Sequence, residues 1–368
     1  MRVALVHDWL VTMGGAERVL EALAGMFPEA PIYTGVADTK KLSPLLQSRQ
    51  IIPTFVQKMP KAKMWYNRYL PLLMYGFEQF DFTSYDLVIS SSAALAKGVI
   101  TPVECVHVAY VHTPMRYAWD LYHQYLNREA KGLTKKLMGP VFHYVRMWDR
   151  LSADRPDALI ANSRYVQQRI AKHYHRDAPI VYPPVSTSRF QVKTHRESYY
   201  LVLSRLVAYK RIDLAIEAAN RLGIPLIVAG DGPERMRLKR FAGASVTFVG
   251  AVTDDTAKDL LENAKALIFP GQEDFGIVPI EMQATGGPVI AYGRGGVLDT
   301  VIDGQTGVFF GRQDVDQVIR AIRRADEIAW QPEIIRQNTD RFQPEVFREG
   351  FSRAIKETMG RRWEEASW

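Results

Sequence analysis

The chain has 368 residues, of which 47% are hydrophobic and 24% charged; this composition is typical of a soluble globular protein and leaves room for two domains. Its single cysteine, Cys105, excludes an internal disulfide and suits a reducing compartment, and no apolar run approaches the ~18 residues that span a membrane. The net charge of +7 is compatible with an unspecific basic surface or with lipid, substrate or nucleic acid as an anionic partner.

Short apolar runs alternate with amphipathic stretches along the chain. The first strand and helix are predicted in VALVHDW and GAERVLEALAGMF, and later strands of the first half include DLVISSS, CVHVAYVHT and DALIANS. The same alternation starts again at YYLVLSRLV, after an irregular polar stretch with two prolines over residues 182–200. Such alternation predicts βαβ units whose parallel sheets are covered on both faces.

The sequence therefore predicts an α/β protein with two doubly wound, Rossmann-like domains. The domains are expected over residues 1–184 and 185–343, and the segment 344–368 is predicted as a helix that crosses back onto the first domain. Ligands of open parallel sheets bind beyond the carboxyl ends of the strands, so two such domains facing each other would hold a ligand in a central cleft. Functional residues are therefore expected directly after strands.

Two glycines, Gly14 and Gly15, follow the first strand. They allow the backbone to approach a ligand closely, and they open the N-terminus of a helix, which favours anions. The pair lacks the further glycines of a dinucleotide-binding motif or a phosphate-binding P-loop. A tight turn without a ligand is therefore the alternative interpretation.

The segment 57–80, QKMPKAKMWYNRYLPLLMYGFEQF, combines basic residues with aromatic and long aliphatic ones. This mixture suits an interfacial helix on anionic lipid, although Pro71 argues against one continuous helix. The alternative is a helix pair whose apolar side packs on the first sheet. The predicted membrane or acceptor contacts are Lys58, Lys61, Lys63, Trp65 and Arg68.

His112 directly follows an apolar strand in VAYVHTPMRYAWD. A strand end favours a position in the cleft, where a histidine can contact a ligand. A structural histidine that is bonded to a loop carbonyl explains the position equally well.

In the second half, Arg205 and Lys210 flank a predicted strand-to-helix turn in LVLSRLVAYKRIDLA. Two cations at such a turn could neutralise a diphosphate. The alternative is a solvated basic turn, which is common.

Two carboxylates, Glu273 and Glu281, follow the strand KALIFPG. Glu273 is expected on the strand-end loop, and Glu281 in the first turn of the next helix, where a structural acid is the alternative. The N–H groups of Phe275, Gly276 and Ile277 would lie at the start of that helix, where an anion binds readily. Amides for phosphate and carboxylates for hydroxyl groups together describe a nucleotide-sugar site.

The sequence predicts no metal site and no cofactor. It has no paired histidines at ligand spacing after a strand, and no Asp-x-Asp after a strand of the sort that would hold a divalent ion against a diphosphate. The two cations are expected to take the place of a metal.

With these residues assembled, the chain resembles the large retaining glycosyltransferase family called glycosyl transferases group one, which has the GT-B fold. The resemblance covers nearly the whole chain and is strongest from Ser204 to Gly307. Its most specific mark is the spacing of Glu273 and Glu281 with Phe-Gly between them, and the cation pair, the glycine pair and His112 match further family positions.

The resemblance implies a metal-independent, retaining transfer of a hexose from a donor held mainly by residues 185–343. Glu281 would hold the ribose, and Glu273 with the three amides the sugar hydroxyls and the phosphate. Arg205 and Lys210 would stabilise the leaving diphosphate, His112 would lie near the donor sugar, and the acceptor would bind on the first domain. In that family, retention follows from attack on the face from which the phosphate leaves.

HDWLVTMGGAERVL and AYVHTPMRYAWDLY look most like mannosyltransferases of bacterial surface-polysaccharide or exopolysaccharide assembly. This implies GDP-mannose as donor, a lipid-linked saccharide as acceptor, and a cytoplasmic protein on the inner face of the membrane. Ser204, Arg211 and Asp299 depart from the family pattern and leave the donor open, with a UDP-hexose as the alternative. A nucleotide-sugar epimerase and a non-catalytic donor-binding subunit are rival interpretations, and no motif supports nucleic-acid binding.

Overall fold

The computed structural model describes residues 1–123 and 133–360. The chain forms two compact units. One comprises Met1–Pro184 and the segment that begins at Glu345, and the other comprises Val185–Pro344.

The first unit contains a six-stranded parallel sheet with the order β3-β2-β1-β4-β5-β6. Its strands are β1 Val3–His7, β2 Ile32–Thr34, β3 Ile51–Pro53, β4 Leu87–Ser92, β5 Val106–Val111 and β6 Ala158–Ala161. The described helices of this unit are Gly15–Met26, Pro44–Gln47, Ala62–Trp65, Leu70–Glu78, Leu133–Ser152, Arg164–Tyr174 and Pro344–Met359.

The second unit repeats this arrangement with a six-stranded parallel sheet of order β12-β11-β10-β7-β8-β9. Its strands are β7 Tyr200–Leu203, β8 Leu226–Ala229, β9 Val246–Gly250, β10 Ala266–Phe269, β11 Val289–Tyr292 and β12 Gly307–Phe310. Its described helices are Ile212–Leu222, Arg235–Arg240, Asp254–Asn263, Ile277–Ala284, Val297–Thr300, Val315–Glu327 and Pro332–Gln337.

Each sheet is covered on both faces, as the apolar strands predict. In β1, Leu5 belongs to one buried cluster, while Ala4 and Val6 belong to another on the opposite face. The second sheet divides in the same way, since Val202 and Leu201 contribute to different clusters. The alternation of side chains along a strand produces this division, and the prediction of two doubly wound α/β domains is confirmed.

The helix Pro344–Met359 packs on the first unit. Phe347 and Phe351 lie one helical turn apart, and both rings contact Tyr110 of β5 at centroid distances of 5.8 and 6.0 Å. This is the spacing expected for an apolar helix face on a sheet. Residues 361–368 of the predicted helix lie outside the described residues.

Asp8, directly after β1, holds the loop that follows β4. Its carboxylate is 2% exposed and accepts the backbone N–H groups of four consecutive residues at 2.6, 2.9, 2.6 and 2.7 Å, namely Ala93, Ala94, Leu95 and Ala96. Each carboxylate oxygen accepts two donors. These bonds join the carboxyl ends of two neighbouring strands.

Replacing Asp8 with Asn should destabilise the protein strongly, because an amide has one acceptor oxygen and would turn its NH2 group toward two of the four donors. Two lost charge-assisted bonds at about 1.5–3 kcal/mol each predict a decrease of at least about 3 kcal/mol in the free energy of unfolding. Urea denaturation measures it. Asp81→Asn is the matched control, since Asp81 is exposed and uses one oxygen for Thr83, so that this substitution should leave the free energy of unfolding almost unchanged. Equal effects of the two substitutions would contradict the assigned role of Asp8.

Candidate functional site

In the second unit, the structure brings Lys210 and Glu273 together. Lys210 ends the 3-10 turn Ala208–Lys210, which follows β7, and Glu273 lies on the loop after the neighbouring strand β10. The Lys210 Nζ and the Glu273 Oε1 are 2.9 Å apart, and the two side chains are 17% and 22% exposed. This ion pair at the carboxyl ends of two strands is therefore open to solvent and can exchange partners with a ligand.

Arg205, the other predicted cation, lies between β7 and that turn. Its residue is exposed, and within residues 1–123 and 133–360 its side chain has no ion-pair partner. The structure thus places both cations after the same strand, but it pairs only Lys210 with a predicted carboxylate.

Glycines shape the loop that carries Glu273. Gly295, with a φ of 82°, leaves so little room that an added Cβ would lie 2.4 Å from the Glu273 carbonyl oxygen. The N–H of Gly296 donates to that same oxygen at 2.8 Å. Side chains at these two positions would push the Glu273 loop away, and this explains the glycine-rich composition after Glu281.

The helix after this loop begins at Ile277, with Gly276 as its capping residue at a φ of 96°. Its first N–H groups have no partner within the helix, as at any helix start. Together with the N–H of Phe275, they are the amides that the sequence predicts to bind phosphate. The expectation that Glu281 lies in the first turn is wrong. Because the helix already begins at Ile277, Glu281 falls in the second turn, beyond the strongest part of the helix dipole.

Glu281 instead pairs with Arg189, which the sequence analysis missed. The Arg189 guanidinium donates to the Glu281 Oε1 at 2.8 Å, and Glu281 is only 8% exposed. Arg189 also lies 3.7 Å from Asp254 and covers the ring of Phe190 at 4.5 Å. Arg189 belongs to the irregular stretch before β7, where no periodicity marks a residue as functional.

In the first unit, His112 belongs to a row of hydrogen-bonded residues at the carboxyl ends of the strands. The Ser91 Oγ lies 2.7 Å from the His112 Nε2 and 3.1 Å from the His7 Nδ1. The His7 Nε2 lies 3.7 Å from the Glu17 Oε1. The backbone carbonyl of His112 accepts an N–H from Asn162 at 2.9 Å. The ring is therefore bonded to a serine hydroxyl, and not to a loop carbonyl.

Strand register explains this row. His7 of β1 pairs with Ser91 of β4, which pairs with Tyr110 of β5; His112 comes two residues after Tyr110. The side chains therefore project from one face of the sheet in all four residues, His7, Ser91, Tyr110 and His112. The sequence analysis missed His7 and Ser91, although both stand at strand ends where functional residues are expected.

Burial and the neighbouring His7 lower the pKa of His112 to about 3, with burial as the larger cause. The ring is 9% exposed, and burial disfavours the charged form. His112 is therefore neutral above about pH 4 and carries one N–H.

Gly14 and Gly15 begin the helix that carries Glu17, one member of this row. Gly15 is the first residue of the helix Gly15–Met26, and Gly14 is its capping residue. A Cβ on Gly14 would lie 3.0 Å from the Glu17 Oε2, so the missing side chain leaves space for that carboxylate. Glu17 is 6% exposed and was not singled out from the sequence.

The segment 57–80 divides between core and surface. Leu73, Met74 and Phe77 are buried in the first unit's core, as the packing alternative expects. Met64 and Tyr75, however, are 71% and 54% exposed. The helices Ala62–Trp65 and Leu70–Glu78 are separated by a 3-10 turn, with Pro71 in the first turn of the second helix.

The basic residues of this segment are exposed. The Lys61 Nζ and the Arg68 Cζ lie 4.6 and 4.8 Å from the ring centre of Trp65, and the Lys63 Nζ lies 3.1 Å from Asp38. Lys58 closes the short 3-10 helix Phe55–Lys58. We call residues 57–80, with these exposed cations and apolar side chains, the basic-aromatic segment.

Two features are absent from the residues that the structure describes. In that part of the chain, no three or more His, Cys, Asp or Glu side chains are grouped so that they could hold a metal ion. Nor does it contain a helix with the length and apolarity needed to cross a bilayer.

Two family models match the chain. The model for "Glycosyl transferases group 1" matches residues 186–341, and the model for "Glycosyltransferase Family 4" matches residues 13–189. Their common boundary falls where the second unit begins, at Val185. Together they account for nearly all of the described chain.

Among characterised proteins, the Alpha-1,3/1,6-mannosyltransferase ALG2 of Kluyveromyces lactis is 24% identical over 371 residues, which cover 82% of this chain and 71% of that protein. Anabaena HepE in complex with UDP and glucose has a TM-score of 0.72 at 16% identity, over 97% of this chain and 99% of the other. The apo form of the lipopolysaccharide outer core galactosyltransferase WaaB has a TM-score of 0.68 at 17% identity, with the same coverage. At these identities, the structural likeness concerns the fold.

Proposed function

The chain belongs to the group 1 glycosyltransferases, and on this premise we propose that it is a retaining hexosyltransferase that moves mannose from GDP-mannose to a lipid-linked saccharide in bacterial surface or exopolysaccharide synthesis. The observation that carries the proposal is the solvent-accessible ion pair between Lys210 and Glu273 at the carboxyl ends of β7 and β10. A nucleotide-sugar supplies a better partner to each member of this pair. Its diphosphate attracts the ammonium group, and its sugar hydroxyls donate to the carboxylate.

The proposed chemistry follows from charge. As the bond between the sugar and the diphosphate breaks, negative charge grows on the leaving phosphate. Lys210 and Arg205 stabilise that charge, and the N–H groups from Phe275 to Ile277 add oriented donors. The acceptor hydroxyl attacks on the face from which the phosphate departs, and the phosphate takes its proton. The configuration at the sugar is thereby retained.

The nucleoside is assigned to Glu281. A ribose offers two neighbouring hydroxyl donors, and a carboxylate is acceptor-only when it is ionised. The bond from Arg189 to Oε1 at 2.8 Å holds the carboxylate in one orientation, in which it would accept from the ribose hydroxyls. Arg189 therefore supports the donor site without having to contact the sugar.

Mannose is preferred because the ALG2 relatives are named mannosyltransferases and align over most of this chain. A UDP-hexose is the second candidate, favoured by the fold's similarity to a protein whose structure contains UDP and glucose. The two candidates share every residue discussed above and differ only in the nucleotide and hexose.

A screen of nucleotide-sugar donors tests this function. Purified protein is incubated with GDP-mannose, UDP-glucose or UDP-galactose and lipid-linked saccharide acceptors, and nucleotide release is measured in the presence of EDTA. We expect acceptor-dependent release of GDP that persists in EDTA, because two cations stabilise the leaving group without a metal. Release only with a UDP-sugar would establish the second candidate. Loss of transfer in EDTA and its recovery with Mg²⁺ or Mn²⁺ would contradict the metal-independent mechanism.

The cation pair is tested by Lys210→Ala and Arg205→Ala, each of which should lower kcat on the order of 10²-fold through lost charge stabilisation. Lys265→Ala is the matched control. Its Nζ also forms an ion pair, with Asp326 at 2.7 Å, but Lys265 precedes β10 and lies at the amino end of the strand. The control should retain nearly normal turnover. Normal turnover by Lys210→Ala would remove that residue from the mechanism.

We further propose that the basic-aromatic segment docks the first unit on the anionic inner face of the cytoplasmic membrane and presents the lipid-linked acceptor. Exposed cations beside exposed Met64 and Tyr75 support this assignment. Lipid phosphates attract the cations, at about 1 kcal/mol for each one near the surface. The apolar side chains enter the interface.

Vesicle co-sedimentation tests the docking. Wild-type protein should bind vesicles with anionic lipid in a salt-sensitive manner, and Lys58→Glu, Lys61→Glu, Lys63→Glu and Arg68→Glu in combination should abolish binding without loss of donor binding. The control reverses four exposed basic residues of the second unit, Arg237, Lys239, Arg240 and Arg323, and so has the same net charge. Equal loss of binding by both variants would show that only net charge matters and would refute a specific docking surface.

A further inference from the structure

The basic-aromatic segment is fastened to the carboxyl edge of the first sheet. Gln57, its first residue, accepts the backbone N–H of Ala37 at 2.8 Å and donates to the Ala37 carbonyl at 3.0 Å. Lys63 forms its ion pair with Asp38, the next residue of the same loop, at 3.1 Å. Because this loop follows the end of β2, the segment lies beside the strand ends, where ligands of open parallel sheets bind.

Trp9 joins the segment to the end of β1. It is the second residue after that strand, and its ring lies 4.9 Å from the ring of Tyr66, between centroids, at an angle of 38°. Both residues are partly exposed. The carboxyl end of β1 therefore carries a pair of aromatic rings that water can reach.

The indole N–H of Trp9 has no hydrogen-bond partner within residues 1–123 and 133–360. Buried or half-buried tryptophans usually find one, and three others in the described chain donate at 2.7, 3.1 and 2.9 Å, namely Trp119, Trp148 and Trp330. Trp9 thus offers a ligand an accessible apolar ring together with an unused donor.

A sugar ring matches both properties of Trp9. Its C–H groups form an apolar face, and its hydroxyl and ring oxygens accept hydrogen bonds. Small-molecule sites in general combine aromatic lining with a few polar groups that fix the orientation of the ligand. A phosphate or a nucleotide diphosphate has no such apolar face.

We propose that Trp9, supported by Tyr66, stacks on a sugar ring of the acceptor saccharide and donates its indole N–H to an oxygen of that sugar. The identification of this sugar as the acceptor rests on the proposed function, whereas saccharide binding by Trp9 does not. Trp9 is a binding residue in this assignment and takes no part in bond breaking.

The cations of the segment give the acceptor a direction. Trp65 is adjacent to Tyr66 in the chain, and the Lys61 Nζ and the Arg68 Cζ lie 4.6 and 4.8 Å from its ring centre. A saccharide joined to its lipid through a phosphate would therefore lie with the sugar on Trp9 at the strand edge and the phosphate toward these cations. Trp9 and Tyr66 would then hold the sugar, and not the lipid.

Saccharide binding is measured by NMR of protein labelled with ¹⁵N at the indole of tryptophan, with the Trp9 signal identified by its absence in Trp9→Phe. The probes are the methyl glycosides of glucose, galactose, mannose and N-acetylglucosamine, and farnesyl diphosphate, which has a lipid chain and phosphates but no sugar. We expect the Trp9 signal to move with at least one glycoside and to stay in place with farnesyl diphosphate. The signal of Trp330, whose N–H already has a partner in the second unit, is the internal control. A Trp9 signal that moves with no glycoside, or with farnesyl diphosphate alone, would overturn the proposal.

Transfer kinetics test the same contact. Trp9→Ala should raise the acceptor KM on the order of tenfold, which corresponds to about 1.4 kcal/mol, with kcat at saturating acceptor and nucleotide affinity nearly unchanged. Trp9→Phe keeps a ring without the N–H and should raise KM less. Tyr66→Leu removes the supporting ring and provides a reading if Trp9→Ala fails to fold. Trp330→Phe is the matched control, because Trp330 is also partly exposed, and its KM should equal that of wild type.

The two assays separate the failure of this proposal from the failure of the proposed function. An acceptor KM that is unchanged in both Trp9→Ala and Tyr66→Leu, while wild type transfers sugar, would remove Trp9 from the acceptor site and leave the proposed function intact. If no nucleotide-sugar supports transfer in wild type, the proposed function fails, and the glycoside titration still decides whether Trp9 binds a saccharide.

Discussion

The carboxylate of Asp8 is the contact on which the carboxyl edge of the first sheet depends. A buried charge without a partner costs several kcal/mol, and here four amide donors from residues 93–96 take the place of water. The consequence is geometric. The end of β1 is tied to the start of the loop after β4; His7 is the last residue of β1, and Ser91 is the next-to-last residue of β4. A shift of one residue between the strands would turn one of these side chains to the other face of the sheet.

The candidate residues of the two units differ in charge and in exposure. In the second unit, the polar residues are charged and partly exposed, as in the pair of Lys210 and Glu273; such a pair can be opened by a ligand at small cost because water screens it. In the first unit, the row that ends at His112 is buried, with His7, Ser91 and His112 at 2%, 0% and 9% exposure. Its members have little access to water, and their hydrogen-bond partners are set by the strand register.

The fold and many of the candidate residues could be predicted from the sequence for one common reason. Continuous apolar strands indicate covered parallel sheets, and such sheets concentrate functional groups after their strands; Lys210, Glu273 and His112 all lie there. Contacts that depend on strand register could not be predicted in this way. The contact of His7 with Ser91, for example, joins two strands through residues that are 84 positions apart in the chain. Arg189 was not predicted from the sequence, because it lies in an irregular stretch without a repeating pattern. Glu281 lies in the second helical turn and not, as predicted, in the first, because the left-handed φ of Gly276 lets the helix begin before Pro279.

Arg211 shows how a departure from the family pattern can be accommodated. It follows Lys210 where glycine is usual, and its φ of 49° is left-handed, a conformation that costs a non-glycine residue roughly 1–2 kcal/mol. Its guanidinium contacts both carboxylate oxygens of Asp213 at 3.1 and 3.2 Å in the first turn of the next helix, which offsets part of this cost. A side chain here also leaves the unfolded chain fewer conformations than glycine would. The turn that presents Lys210 is therefore followed by a contact that holds Arg211 to the next helix, and Lys210 reaches Glu273 without a glycine beside it.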